Sequence, residues 1–179
     1  MAVRLSPMAN PQFPAADFAD IMGANAGFAS SFQGSELTGT AAKGLAIVTC
    51  MDSRISPLAV VGMQSGDAKI LRNAGARVTE DVLRTLVLAT YLLGVNRILV
   101  MPHSDCRMAQ SEEADIHATI TEQFGVDTRS LEFRTVSDQR AALITDVTRI
   151  RSYPLLRKGV VVGGAIYNVS SGALEPLDC

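Results

Sequence analysis

Leu45-Ala-Ile-Val-Thr49 is an unbroken apolar run rich in β-branched residues, the pattern of a strand buried on both faces of a parallel sheet. Two more short runs follow, Ala68-Lys-Ile-Leu71 after Gly66 and Arg97-Ile-Leu-Val-Met101. Val160-Val-Val162 and Ala165-Ile-Tyr167 read as a fourth strand interrupted by Gly163 and Gly164. Ser170-Ser-Gly172 reads as a turn, so Ala173 to Leu177 is expected to return as a short antiparallel edge strand.

Helical periodicity fills the gaps between these runs. Thr79 is a good N-cap before Glu80 and Asp81, and Val82, Leu83, Leu86, Thr90 and Leu93 continue one stripe up to Gly94. Ser111 is expected to cap a second helix carrying Ile116, Ile120 and Phe124, closed by Gly125. Ser137 or Asp138 opens a third with Leu143, Val147 and Ile150, ended by Pro154. Near the N-terminus, residues 1–13 read as a loose arm, and Pro14 is expected to start a helix with Phe18, Ile21, Met22, Phe28 and Phe32 near one face. Gly23 and Gly27 weaken that helix, so packing on something else must hold it. Strands alternating with helices imply an α/β fold with a mostly parallel sheet, helices on both faces and an N-terminal helical arm. The expectation is a single domain over 1–179, with 1–33 as the arm.

Composition narrows the function classes. The 179 residues carry 16 Lys plus Arg against 18 Asp plus Glu, a net charge of −2, which argues against a phosphate-tracking nucleic-acid binder. The longest nearly apolar stretch, Thr85 to Val95, is far shorter than the ~20 residues of a membrane span. The first residues lack the apolar core of a secretory signal, so the reading is cytoplasmic. Counting glycine and leaving out tyrosine, the apolar share is ~53%, above the usual range of about 45–50%, a hint of a buried oligomer face. Three cysteines without a secretion signal do not make a disulfide scaffold, and Cys179, the last residue, reads as part of a frayed terminus.

The other two cysteines stand where chemistry belongs. Cys50 directly follows the first strand, and His103 and Cys106 directly follow the third. Ligands of open α/β sheets sit beyond the carboxyl ends of strands, where the strand order reverses. If strands one and three are neighbours, two thiolates and an imidazole meet there. Cys₂His with an open fourth position is a catalytic zinc arrangement, and soft sulfur favours zinc over magnesium or calcium. Asp52 is placed either to bind the metal or to accept a hydrogen bond from metal-bound water, with Arg54 orienting it; an ordinary loop salt bridge is the alternative. His117 reads as a solvated helix residue or a proton relay.

Cys50-x-Asp52-x-Arg54, Arg72-Asn73-Ala74-Gly75 and His103-x-x-Cys106, in this order and spacing, resemble the signature of β-class carbonic anhydrases, especially short prokaryotic members. The likeness runs from about Leu45 to Met108 and resumes more faintly at Gly164 to Tyr167 and Ser171-Gly172. The resemblance implies a parallel sheet in order 2-1-3-4 with an antiparallel fifth strand. It implies a homodimer, or a dimer of dimers, with active sites near the interface. It implies one Zn²⁺ per chain on Cys50, His103 and Cys106, an Asp52–Arg54 catalytic dyad, and reversible hydration of CO₂ to bicarbonate and a proton by zinc-bound hydroxide. In some members the matching Asp instead takes the fourth zinc position at lower pH.

Two departures stand out. Arg107 occupies a position where relatives commonly carry Gly, a strained site if that backbone needs positive φ, and Pro102 precedes His103 where Gly or His is usual. The nearest rival function shares the scaffold: hydrolysis of carbonyl sulfide or carbon disulfide. A cysteine-nucleophile enzyme of the phosphatase type would need Arg where Ser56 stands, and a non-catalytic module would not need all five signature residues.

Overall fold

The computed structural model describes residues 13–179, so all but the last residue of the loose arm expected over 1–13 lies outside the described residues. Five strands form one sheet: β1 (Leu45–Cys50), β2 (Ala68–Asn73), β3 (Arg97–Met101), β4 (Val161–Tyr167) and β5 (Leu174–Leu177), in the order β2-β1-β3-β4-β5. The first three pairings are parallel, and only β5 runs antiparallel, as the sequence and the resemblance lead one to expect.

β1 is buried along its whole length because it has a strand on each side and covered faces above and below. Its alternate residues serve two cores. Ala46 and Val48 pack with Ile98, Val100 and Val162 against Leu83 and Leu86 of α3 (Glu80–Leu92) and Leu143, Val147 and Ile150 of α5 (Gln139–Arg151). Leu45 and Ile47 face the other way, toward Ile55, Met101 and Met108, with Val60 of the short helix α2 (Pro57–Val60) and Phe133 packed against them. Truncating a fully buried leucine such as Leu83 or Leu86 would cost about 2–5 kcal/mol.

The register matters most at the carboxyl ends. Leu45 lies beside Arg97 and Thr49 beside Met101, so the residues that follow β1 and β3 leave the sheet at the same edge. The Thr49 hydroxyl donates to Met101 O at 2.7 Å and ties the two ends together. The end of β4 holds the next stretch: Tyr167 N donates to Pro102 O and Ser104 N to Tyr167 O, both at 2.8 Å.

Most caps follow the sequence. Thr79 accepts from Val82 N and Asp138 from Arg140 N and Ala141 N, while Gly94 and Gly125 take left-handed backbone just past their helices. Ser111 does not cap α4 (Glu113–Phe124). The Glu113 carboxylate instead accepts the backbone N–H groups of Phe133 and Arg134, so a tertiary contact takes up the acid at this helix start. β4 also runs straight through Gly163 and Gly164, where an interruption is expected. A Cβ on Gly164 would lie 3.0 Å from Leu143 Cδ1 and 3.1 Å from Cys179 Sγ, so this glycine lets α5 and the chain terminus press onto the strand. Cys179 is accordingly not frayed: its thiol donates to Leu177 O and its own carbonyl accepts from Arg151.

The described residues fall into two compact units, 13–36 and 37–179. Within the first, α1 (Ala19–Ser30) starts later than Pro14 predicts, because residues 15–18 form turns and Phe18, with no side-chain cap, takes non-helical backbone. No residue of α1 is buried, and Phe18, Ile21, Met22, Phe28 and Phe32 are all exposed.

Candidate metal centre

Cys50 ends β1, and the loop after it is held by Arg72 of β2. The Arg72 guanidinium donates to three carbonyls: Cys50 O at 2.9 Å, Asp52 O at 2.5 Å and Ile55 O at 3.3 Å. Asn73 brackets the next turn, donating to Arg77 O and accepting from Arg77 N. Inside that turn Gly75 has φ 76°, and a Cβ there would come within 3.2 Å of Met108 Cβ. The Arg72-Asn73-Ala74-Gly75 motif is thus the mould for the Cys50 loop, and Gly75 lets it approach the segment after Cys106.

His103 and Cys106 enter from β3. His103 Nδ1 donates to Ser104 O at 2.8 Å, which leaves Nε2 as the free lone pair. That Nε2 is the one buried side-chain polar atom among the described residues without a hydrogen-bond partner. Cys106 opens into a 3₁₀ turn (Arg107–Ala109), and the backbone amides of Met108 and Ala109 favour its thiolate, as those of Gly75 and Asp52 favour that of Cys50. The two sulfurs are 4.0 Å apart, and the three donor atoms all lie within 4.8 Å of one another, with all three side chains buried.

In this set one thiol shares its proton with the other. The hydrogen bond from Cys106 pulls Cys50 well below the usual thiol range; the same contact, and then burial, push Cys106 well above it. The nearby Cys50 sulfur pulls His103 upward.

These residues fit a zinc ion. Two thiolates bound at about 2.3 Å in a tetrahedron sit about 3.8 Å apart, close to the spacing found here. The orphaned Nε2 gains the partner that its burial demands.

Beside this group lies a charged pair. Arg54 Nε and Nη2 grip both oxygens of Asp52 at 2.7–3.2 Å, and Arg54 N donates to Asp52 Oδ1 at 2.9 Å. The Arg54 side chain, then its backbone N–H, hold the Asp52 carboxyl far below the usual carboxylate range. Asp52 Oδ2 is 3.7 Å from His103 Nε2. Sequence reasoning missed Asp105, whose carboxylate accepts from Arg54 Nη1 at 2.7 Å. Its only signal is its place between His103 and Cys106.

Arg107 is exposed and carries no strain, since the left-handed backbone falls on Asp105 (φ 55°) instead. With Met51, Met108, Ile116, Ile120 and Phe133 it lines an apolar groove. His117 is largely buried rather than solvated: Nδ1 shares a hydrogen bond of 2.8 Å with Thr128 Oγ1, and the ring lies against Phe133. Its contacts tie α4 to the segment after it and do not join the cysteine group.

The carbonic anhydrase family model matches residues 45–174. Beta-carbonic anhydrase 1 of Mycobacterium tuberculosis is 34% identical over 159 residues, covering 87% of this chain and 94% of the relative. The chain belongs to the β-carbonic anhydrase family. The crystal structure of a carbonic anhydrase from Streptococcus mutans superposes with a TM-score of 0.84 at 31% identity, covering 94% of this chain and all of that one. A carbon disulfide hydrolase of Acidithiobacillus thiooxidans is 26% identical over 150 residues, covering 73% of this chain and 75% of its own length. As a β-carbonic anhydrase the chain is a zinc-dependent enzyme, and the Cys50–His103–Cys106 group supplies donors suited to that ion.

Proposed function

We propose that Cys50, His103 and Cys106 hold one zinc ion and that the chain uses it to interconvert CO₂ and bicarbonate, with Asp52 and Arg54 as the assisting pair. The observation that carries this reading is the buried unpartnered His103 Nε2 beside two sulfurs. Zinc, when bound there, supplies a Lewis acid that brings the ionisation of water into the neutral range. Asp52, kept ionised by Arg54, accepts a hydrogen bond from the attacking water and so holds the oxygen lone pair toward CO₂. Arg54 acts through Asp52 by fixing both carboxylate oxygens. The amides beside Cys50 and Cys106 favour the thiolate forms that a zinc ion would bind. Elemental analysis and stopped-flow CO₂ hydration test the reading: one zinc per chain with rapid hydration is expected. A zinc-loaded chain that releases sulfide rapidly from carbon disulfide or carbonyl sulfide and hydrates CO₂ negligibly would overturn it. The similarity to the carbon disulfide hydrolase keeps that second reading specific.

The wider reading is a single-domain homodimer, with 1–33 as an arm whose exposed phenylalanines pack on the second copy. Light scattering of a chain lacking residues 1–33 tests it: loss of the dimer is expected, and a soluble truncated dimer would contradict it. No helix among the described residues is long and apolar enough to cross a membrane. A cytoplasmic site suits two free thiols 4.0 Å apart, which an oxidising compartment would tend to join.

A further inference from the structure

Asp105 sits between two donor residues yet turns its carboxylate away from them. Its Oδ2 accepts from Arg54 Nη1 at 2.7 Å, its Oδ1 from Gln110 Nε2 at 2.7 Å, and its backbone oxygen from Arg54 Nη2 at 3.1 Å. Together with Asp52 it occupies four of the five N–H groups of the Arg54 guanidinium. The left-handed backbone at Asp105, φ 55°, aims both its carbonyl and its side chain at that guanidinium. Gln110 stiffens the carboxylate from behind.

The stability gained is small. The Asp105 and Arg54 side chains are 59% and 47% exposed, so solvent screens most of their attraction. The geometric effect is larger. Asp52 and Arg54 are two residues apart on one loop, so their pair alone can swing as a unit. Asp105 belongs to the loop after β3, and its grip fixes the guanidinium against a second, independent part of the sheet edge. Asp52 Oδ2 is already 3.7 Å from His103 Nε2, so a modest turn of that carboxylate would bring it onto the metal position.

We infer that Asp105 is a positioning residue: by anchoring Arg54 it keeps Asp52 paired with the guanidinium and off the fourth metal position, which then stays open to substrate. This rests on the zinc reading of the Cys50–His103–Cys106 group.

The test uses the full chain loaded with cobalt(II) and titrated with thiocyanate at one pH, followed by visible absorption. Glycine accepts positive φ without strain, so Asp105→Gly removes the carboxylate and spares the backbone. Asp105→Asn keeps the left-handed preference and one acceptor oxygen. Asp105→Gly should bind cobalt fully yet raise the thiocyanate dissociation constant about fivefold, the equivalent of about 1 kcal/mol, as Asp52 competes for the open position. Asp105→Asn should raise it less. In an Asp52→Asn background Asp105→Gly should have no effect, because the competing carboxylate is gone. Wild-type affinity in Asp105→Gly, or an equal loss in the Asp52→Asn background, overturns the inference and leaves the zinc reading standing. Failure of the unmutated chain to bind one cobalt overturns the zinc reading and this inference with it.

Discussion

The site has two halves of opposite character. Cys50, His103 and Cys106 are 5%, 1% and 4% exposed, whereas the Asp52, Arg54 and Asp105 side chains are 19%, 47% and 59% exposed. The buried half sets two sulfurs 4.0 Å apart beside an imidazole nitrogen that lacks a partner, a donor set suited to a cation. The exposed half is held by charged hydrogen bonds in high dielectric, strong in geometry and weak in energy. On the proposed reading, metal affinity is set below the surface and the placement of Asp52 at it.

The largest effect is expected in the buried half. Cys106→Ser replaces a soft thiolate with a hard hydroxyl and should weaken zinc binding by more than about a hundredfold, read by elemental analysis after dialysis. Stripping zinc from the unmutated chain should also lower its melting temperature, since a ligand at a thousandfold its dissociation constant contributes about 4 kcal/mol. Full zinc in Cys106→Ser would erase the distinction between the halves.

Asp52→Asn comes next, from the exposed half. It should keep zinc and lose about a hundredfold or more in CO₂ hydration, because a neutral amide neither pairs with Arg54 nor keeps the charge that accepts the attacking water's hydrogen bond. Loss of zinc here would show that the halves are one unit.

Arg72 joins them, since its three carbonyl bonds hold the loop carrying both Cys50 and Asp52. Arg72→Lys offers one point charge for a planar fork and should destabilise the fold by about 1–3 kcal/mol, seen as a lower urea midpoint. The smallest effect belongs to Arg107→Gly at the groove: zinc retained, stability within about 1 kcal/mol, and only a modest shift in the ratio of CO₂ hydration to carbon disulfide hydrolysis. A large shift would mark the groove as the selector of substrate.

Much of this was legible along the chain. The burial of β1, the cap at Thr79, the break at Gly94 and the three donors at strand ends all follow from local pattern and residue chemistry. Arg72 and Gly75 were legible only as part of a signature; their work as clamp and close approach appears once β2 lies beside β1. The start of α4 misled for the same reason, because the partners of Glu113 lie twenty residues away.

The sequence by itself determined which runs are apolar enough to be strands or helix stripes, which residues are soft enough to bind zinc, and that they follow strands. Those properties belong to side chains and to periods of two or about four residues, which any short window displays. Only the tertiary structure decided that Asp105 meets Arg54, that Ser104 takes His103 Nδ1 and frees Nε2, and that Gly164 makes room for Leu143. Each depends on ångström-scale register between segments distant in the chain or on a ring orientation, and hydrophobic pattern carries no term for either.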